Sequence, residues 1–154
     1  MNDVLGAVAI GELAGLFASA LTSATILPGS SEAVLAAVLA LGSTSTFVAV
    51  LVATLGNTLG SLVNWLVGRF LASFRNHPRF PVSEQQFDRA VSAYQRWGIW
   101  SLLLSWVPII GDPLTIVAGV LRAPLWIFLP VVAFAKLARY LAVAGVVGLA
   151  SGGT

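Results

Sequence analysis

The chain has 154 residues, 58% of them hydrophobic and only 9% charged, with a mean hydropathy of +0.93, whereas a soluble domain carries about 25% charged residues. So few charges cannot solvate a globular surface, and a net charge of +2 is too small for nucleic acid to be expected as a partner. Cysteine is absent, which excludes disulfides and thiolate metal sites.

A single membrane domain over residues 1–154 is expected at this length. The N-terminus, Met1-Asn2-Asp3, turns apolar without a basic region or a small-residue cleavage pattern, so the first segment is expected to stay in the membrane. Apolar segments follow at about 4–27, 30–42, 44–68, 98–121 and 124–149, with one polar stretch at 69–97. Crossing the hydrocarbon core takes about 20 helical residues. By that measure 4–21, 44–68 and 124–149 can span, whereas 22–42 and 98–121 are each interrupted.

The interruptions are Leu27-Pro28-Gly29-Ser30-Ser31-Glu32 and Val107-Pro108-Ile109-Ile110-Gly111-Asp112-Pro113. Proline removes a backbone donor and clashes with the preceding turn. Each segment is therefore expected to fold as two half-helices joined by a turn in the membrane, shaped by Pro28 and Gly29 in one and by Pro108 and Gly111 in the other. In both, a carboxylate follows the proline by four residues, and an apolar half-helix and a full span come next. This pattern predicts an internal repeat of hairpin plus span over 22–69 and 98–149.

Helix 44–68 carries Gly56, Gly60, Asn64 and Gly68 at intervals of four, with Asn57 beside them. Small residues on one face let a neighbouring helix approach closely, and Asn64 can hydrogen-bond across the seam. A homodimer contact is one use expected for that seam.

Arg69, Arg75, Arg79, Arg89 and Arg96 are all expected in the single long polar loop, 70–97 with Arg69 at its entry, which the positive-inside rule places in the cytoplasm. The first hairpin then enters from the outer side and the second from the cytoplasmic side, with Arg122 at the cytoplasmic end of the last helix. Paired broken helices in inverted halves point to a transporter site near the midplane. Within the loop, Ser83-Glu84-Gln85-Gln86 has the form of a capping box. Phe87, Val91 and Tyr94 then recur on one face, so the helix either lies on the headgroups or packs beneath the bundle as a connector. His77, the only histidine, is expected to be a solvated loop residue, and no metal site is expected. The five tryptophans, with Tyr94 and Tyr140, include several near predicted segment ends, as an aromatic belt at the membrane surfaces requires.

Ionisable residues inside apolar segments carry the strongest chemical signal. Glu12, Glu32, Asp112, Lys136 and Arg139 would each cost about 2.5 to 3.5 kcal/mol at a helix centre. Glu32 and Asp112 are therefore expected to face the protein interior near Lys136 and Arg139, as a transport site or as ion pairs that only lock the hairpins. Glu12 is expected to serve a structural or interfacial role. The serines near Glu32 lack a histidine partner, and no GxSxG, Walker or HExxH motif occurs. An enzyme is not expected, since intramembrane catalysis would need an acid pair such as Glu32 with Asp112. No cofactor is expected either.

The turn ending in Ser31-Glu32, the stretch from Gly56 to Gly68-Arg69, the loop helix leading to Tyr94 and Gly98, and the Pro108 turn followed by Ala118-Gly119-Val120 together resemble the DedA superfamily. Its members are also called SNARE-associated or VTT-domain proteins, and the likeness is to the short YqaA-like branch, over about 18–142. The resemblance implies two re-entrant hairpins facing each other. It also implies movement of lipids such as undecaprenyl phosphate or phosphatidylethanolamine between leaflets, in some members linked to the proton gradient. Against the family pattern, Ser23 stands for a hairpin glutamate, Gly60-Ser61 for Gly-Asp, and Ser105 and Gly111 for two arginines. Arg122, Lys136 and Arg139 are candidates to replace those phosphate ligands, and Asp112 is a feature of this branch with an expected proton- or cation-coupled role.

The expected fold is all-α and integral to the bacterial inner membrane: three transmembrane helices plus two opposed re-entrant helical hairpins in an inverted repeat, with a cytoplasmic amphipathic helix. The expected function is a lipid flippase or scramblase whose partners are membrane lipids and protons. The alternatives are a proton-coupled carrier of a small solute or drug, and a membrane scaffold without transport.

Overall fold

The computed structural model describes residues 2–24, 29–71 and 82–152; Pro28 and His77 lie outside them. All regular structure among the described residues is helical: α1 (Asn2–Ser23), α2 (Ser30–Leu41), α3 (Thr46–Leu71), α4 (Glu84–Trp97), a 3-10 helix (Gly98–Trp106), α5 (Pro108–Val120) and α6 (Leu125–Gly152). Three helices are long and apolar enough to cross a membrane, over Gly6–Ser23, Thr46–Phe70 and Leu125–Ala150. At 1.5 Å per residue, α2 and α5 reach only about 18–20 Å and fall short of the roughly 30 Å core.

The chain forms two compact units, residues 1–60 with 136–154, and residues 61–135. In the first unit, α1 and α2 pack against each other. Gly29 (φ 93°) and Gly42 (φ 68°) bracket α2 in the left-handed region, where a Cβ is strained. Instead of ending before a separate half-helix at 22–27, α1 runs unbroken to Ser23. Its C-terminal half lies along α3: a Cβ on Gly56 would sit 2.7 Å from the Phe17 carbonyl, and one on Gly60 2.5 Å from that of Leu21. The described end of α1 therefore meets α3 near its middle. Leu16, Ala20, Leu35, Val38, Val50, Ala53 and Tyr140 form the core of this unit.

In the second unit, α4, the 3-10 helix and α5 pack on one another. The capping box is present: the Ser83 hydroxyl accepts from the Gln86 backbone N–H, and the Gln86 side chain accepts from the Ser83 backbone N–H. Phe87 is buried, and with Val91 and Tyr94 it joins a core containing Leu102, Leu114, Val117, Phe128 and Val132. The apolar face of α4 thus packs as a connector instead of lying on headgroups.

The sequence placed the second break over Val107 to Pro113, but only Val107 is extended (φ −78°, ψ 123°). Pro108 opens α5 at its first position, where a missing N–H costs nothing, and Pro113 forfeits a single bond one turn later. Gly111 is inside α5 and not in the turn. Any Cβ there would collide with the Ser105 carbonyl, so its smallness sets the close approach of α5 to the 3-10 helix.

Arg69, expected in the loop, lies in the last turn of α3, where a cation complements the helix dipole. The polypeptide leaves α5 through Arg122, the one non-glycine residue with positive φ (57°) among those described. There the Arg122 N–H bonds to the Gly119 carbonyl at 3.0 Å and the Ala123 N–H to the Ala118 carbonyl at 2.8 Å. This is a Schellman ending, whose left-handed position usually holds glycine. A side chain at that position costs about 1–2 kcal/mol.

Candidate functional site

The first unit holds a polar network within an apolar core. Asn57, midway along α3, donates its amide to the Tyr140 hydroxyl at 2.7 Å and to Ser23 Oγ at 3.0 Å. Tyr140 donates to Ser31 Oγ at 2.8 Å, Ser23 donates to the same oxygen at 3.0 Å, and Ser31 makes a longer bond of 3.3 Å to Glu32 Oε2. Four elements therefore converge: the end of α1, the start of α2, the middle of α3 and α6.

The network ends on charge. Glu32 lies in the first turn of α2, where the helix dipole favours an anion, and its carboxylate forms a salt bridge with Arg139 of α6. The side chains of Arg139 and Glu32 retain 12% and 18% exposure, so the pair is not sealed in the core. Donors from Asn57 through Tyr140 and Ser31 all point toward the carboxylate. Such an arrangement can bind an external cationic or phosphate group by opening the ion pair, and pass a proton along hydroxyls.

Lys136 and Arg139 stand about 16 and 21 Å along α6 from Leu125, near the middle of that candidate span. Lys136 is 1% exposed, and both it and Asp112 make polar interactions. Of the predicted charged cluster, Glu32 and Arg139 meet within one unit. Asp112 belongs to the other, half-buried in the second turn of α5, with its carbonyl accepting from Thr115 at 2.7 Å. Glu12 is also in the first unit and accepts from Ser43 in the turn after α2.

The glycine seam is used inside the chain, with Gly56 and Gly60 against α1 and, in the second unit, Gly68 against α5 at Ile116. Close-packed helices of the same chain occupy the surface expected to be open for a homodimer. Asn64 donates to Thr115 Oγ1 at 3.3 Å. The aromatic-belt expectation divides: Trp97, Trp100, Trp106 and Trp126 are exposed, whereas Trp65 and Tyr140 are buried, Trp65 donating to the Ala123 carbonyl at 3.1 Å.

Sequence reasoning missed Tyr140 as a network member. The available signal was its depth: fifteen residues past Leu125 is about 22 Å into α6, too deep for an interfacial tyrosine. Ser23 was noted only as a departure from a family pattern, and nothing local to it shows that Asn57, 34 residues later, is its partner.

Long apolar helices, short helices between them and a buried polar network define a multi-pass helical membrane protein. The chain belongs to the VTT-domain family, whose domain matches residues 27–149, in line with the DedA resemblance and its YqaA-like branch. It is similar to the inner membrane protein YqaA of Escherichia coli (strain K12), at 44% identity over 135 residues covering 86% of this chain and 88% of that protein. The Shigella flexneri protein of the same name matches with the same figures. An uncharacterized protein of Haemophilus influenzae is 37% identical over 139 residues, 82% of each chain. No solved structure matches.

Proposed function

We propose that this protein is a lipid flippase or scramblase of the bacterial inner membrane, moving phospholipids or polyprenyl-phosphate-like lipids between leaflets with coupling to protons. The observation that carries the reading is the network from Asn57 to the Glu32–Arg139 pair. Hydrocarbon gives no solvation to such groups, and intramembrane ionisable residues mark substrate and proton paths. The E. coli relative's name supports the inner-membrane location, and Arg89 and Arg96 in the loop favour a cytoplasmic side for 70–97.

In this reading α1 is a span and the first re-entrant hairpin, over about 22–42, is formed by its C-terminal end with α2, because α2 is only 12 residues long and the end of α1 meets α3 near its middle. The 3-10 helix and α5 form the second, entering from the opposite face as the inverted partner. Glu32 and Asp112 are the titratable groups of the two hairpins, and Lys136 and Arg139 their counter-charges or headgroup ligands. An ion pair that opens to a headgroup phosphate would let the polar end of a lipid pass while its chains remain in the bilayer.

The test is leaflet exchange of fluorescent phospholipid in proteoliposomes. Wild type is expected to exchange lipid, and Glu32→Gln and Asp112→Asn to lose most of that activity. Solute-driven proton flux without lipid exchange would replace this reading with a small-solute carrier, and neither activity would leave a scaffold.

A further inference from the structure

We propose that the second unit carries a separate binding site for a phosphate-bearing anion, in the open cleft of about 490 Å³ lined by Trp65, Arg69, Phe70, Arg122, Ala123 and Pro124. It shares no residue with the Glu32–Arg139 network, and the proposal does not rest on leaflet exchange.

Charge is the first argument. Two arginines line the cavity and no carboxylate does, and both are exposed with no ion pair among the described residues. Guanidinium groups match phosphate by paired N–H donors. The volume lies within the roughly 300–1,000 Å³ typical of ligand pockets.

The wall is also held in place. Trp65 donates to the Ala123 carbonyl at 3.1 Å, tying the end of α3 to the turn between α5 and α6. The Arg69 guanidinium sits over the same indole, 5.2 Å from its ring centroid, which restricts the arginine while leaving its donors free.

The third argument is backbone strain. Arg122 occupies the left-handed position of a Schellman ending, where glycine would be relaxed. An arginine held there against its backbone preference, at the edge of a cavity that Arg69 also lines, indicates that its side chain is used. Phe70 and the nearby Trp126 are exposed apolar residues, as fits a site at the headgroup level of a membrane. The anion can be a phospholipid headgroup or free phosphate, and the two share the same recognition chemistry.

The test is thermal unfolding of the full chain in neutral detergent, titrated separately with inorganic phosphate and with dihexanoyl phosphatidic acid. Sodium chloride at matched ionic strength and dihexanoyl glycerol serve as controls. Wild type is expected to melt higher with at least one phosphate probe and with neither control. Arg69→Gln and Arg122→Gln are each expected to weaken the apparent affinity by about tenfold or more. Arg122→Gly separates binding from folding, because it should melt above wild type without ligand and yet lose the ligand-dependent rise. A response to both probes assigns free phosphate as sufficient, and a response to the lipid alone assigns the headgroup. No rise in wild type with either probe, or an undiminished rise in Arg122→Gly, overturns the proposal.

Discussion

Tyr140 of α6 donates its hydroxyl to Ser31 at the start of α2 across 2.8 Å, joining residues 109 positions apart in sequence. That bond sits between the Asn57 amide and the Glu32 carboxylate. It therefore couples the packing of four elements to the state of one acid.

Replacing Tyr140 by phenylalanine keeps the ring packed but deprives Asn57 and Ser31 of a partner. A buried donor left unsatisfied costs about 1–3 kcal/mol. The midpoint of thermal or denaturant unfolding in detergent is expected to fall accordingly. An unchanged midpoint would mean that water replaces the hydroxyl and that the network is less enclosed than the 0% exposure of Tyr140 indicates.

Breaking the ion pair from one side should be worse than removing it whole. Arg139→Gln leaves the Glu32 carboxylate without its cation, and in a fully buried pair the loss is about 3–5 kcal/mol. The residual exposure of both side chains should hold the measured loss below that range. The double variant Glu32→Gln with Arg139→Gln is expected to recover much of the unfolding midpoint while showing little leaflet exchange. Lipid exchange at the wild-type rate in the double variant would count against any transport role for the pair.

Gly60→Leu drives a side chain toward the Leu21 carbonyl and the Ala24 methyl of α1. Overpacking of this kind costs about 1–3 kcal/mol or more, and monodisperse protein recovered by size exclusion should drop. Gly145→Ala, with no atom within 4 Å of the added carbon, is the matched control and should behave as wild type. Equal recovery of both variants would show that the α1–α3 contact yields easily.

Ser83→Ala removes the side chain that caps α4, a loss of about 1 kcal/mol. Hydrogen exchange should speed up in the first turn of α4, with the amides of α6 unaffected. The readout is local because the apolar face of α4 remains packed on α5 and the 3-10 helix. Faster exchange throughout the second unit would instead make the cap a condition for its folding.

Much of the architecture was legible in the residue order. Three apolar runs, the capping box at Ser83 and the break at Gly29 each follow from the summed chemistry of neighbouring residues, because transfer to hydrocarbon and helix termination are local costs. The same reasoning misjudged Pro108 to Pro113, since a proline signals a helix start as readily as a helix end and only the surrounding packing selects between them.

Tertiary structure alone decided which partners meet. Composition demanded that Glu32 be neutralised, but Arg139, Lys136 and a second acid in Asp112 left several pairings open, and only the register of α6 against α2 selects Arg139. Trp65 was indistinguishable from a belt residue until helix rotation put it inside, and the depth of Tyr140 along α6 set it apart from the belt without naming the partners it meets. Hydropathy adds up along a chain, so sequence reveals which segments seek the membrane. Hydrogen bonds and ion pairs depend on the angles and offsets at which distant faces meet, and those arise only when the helices pack.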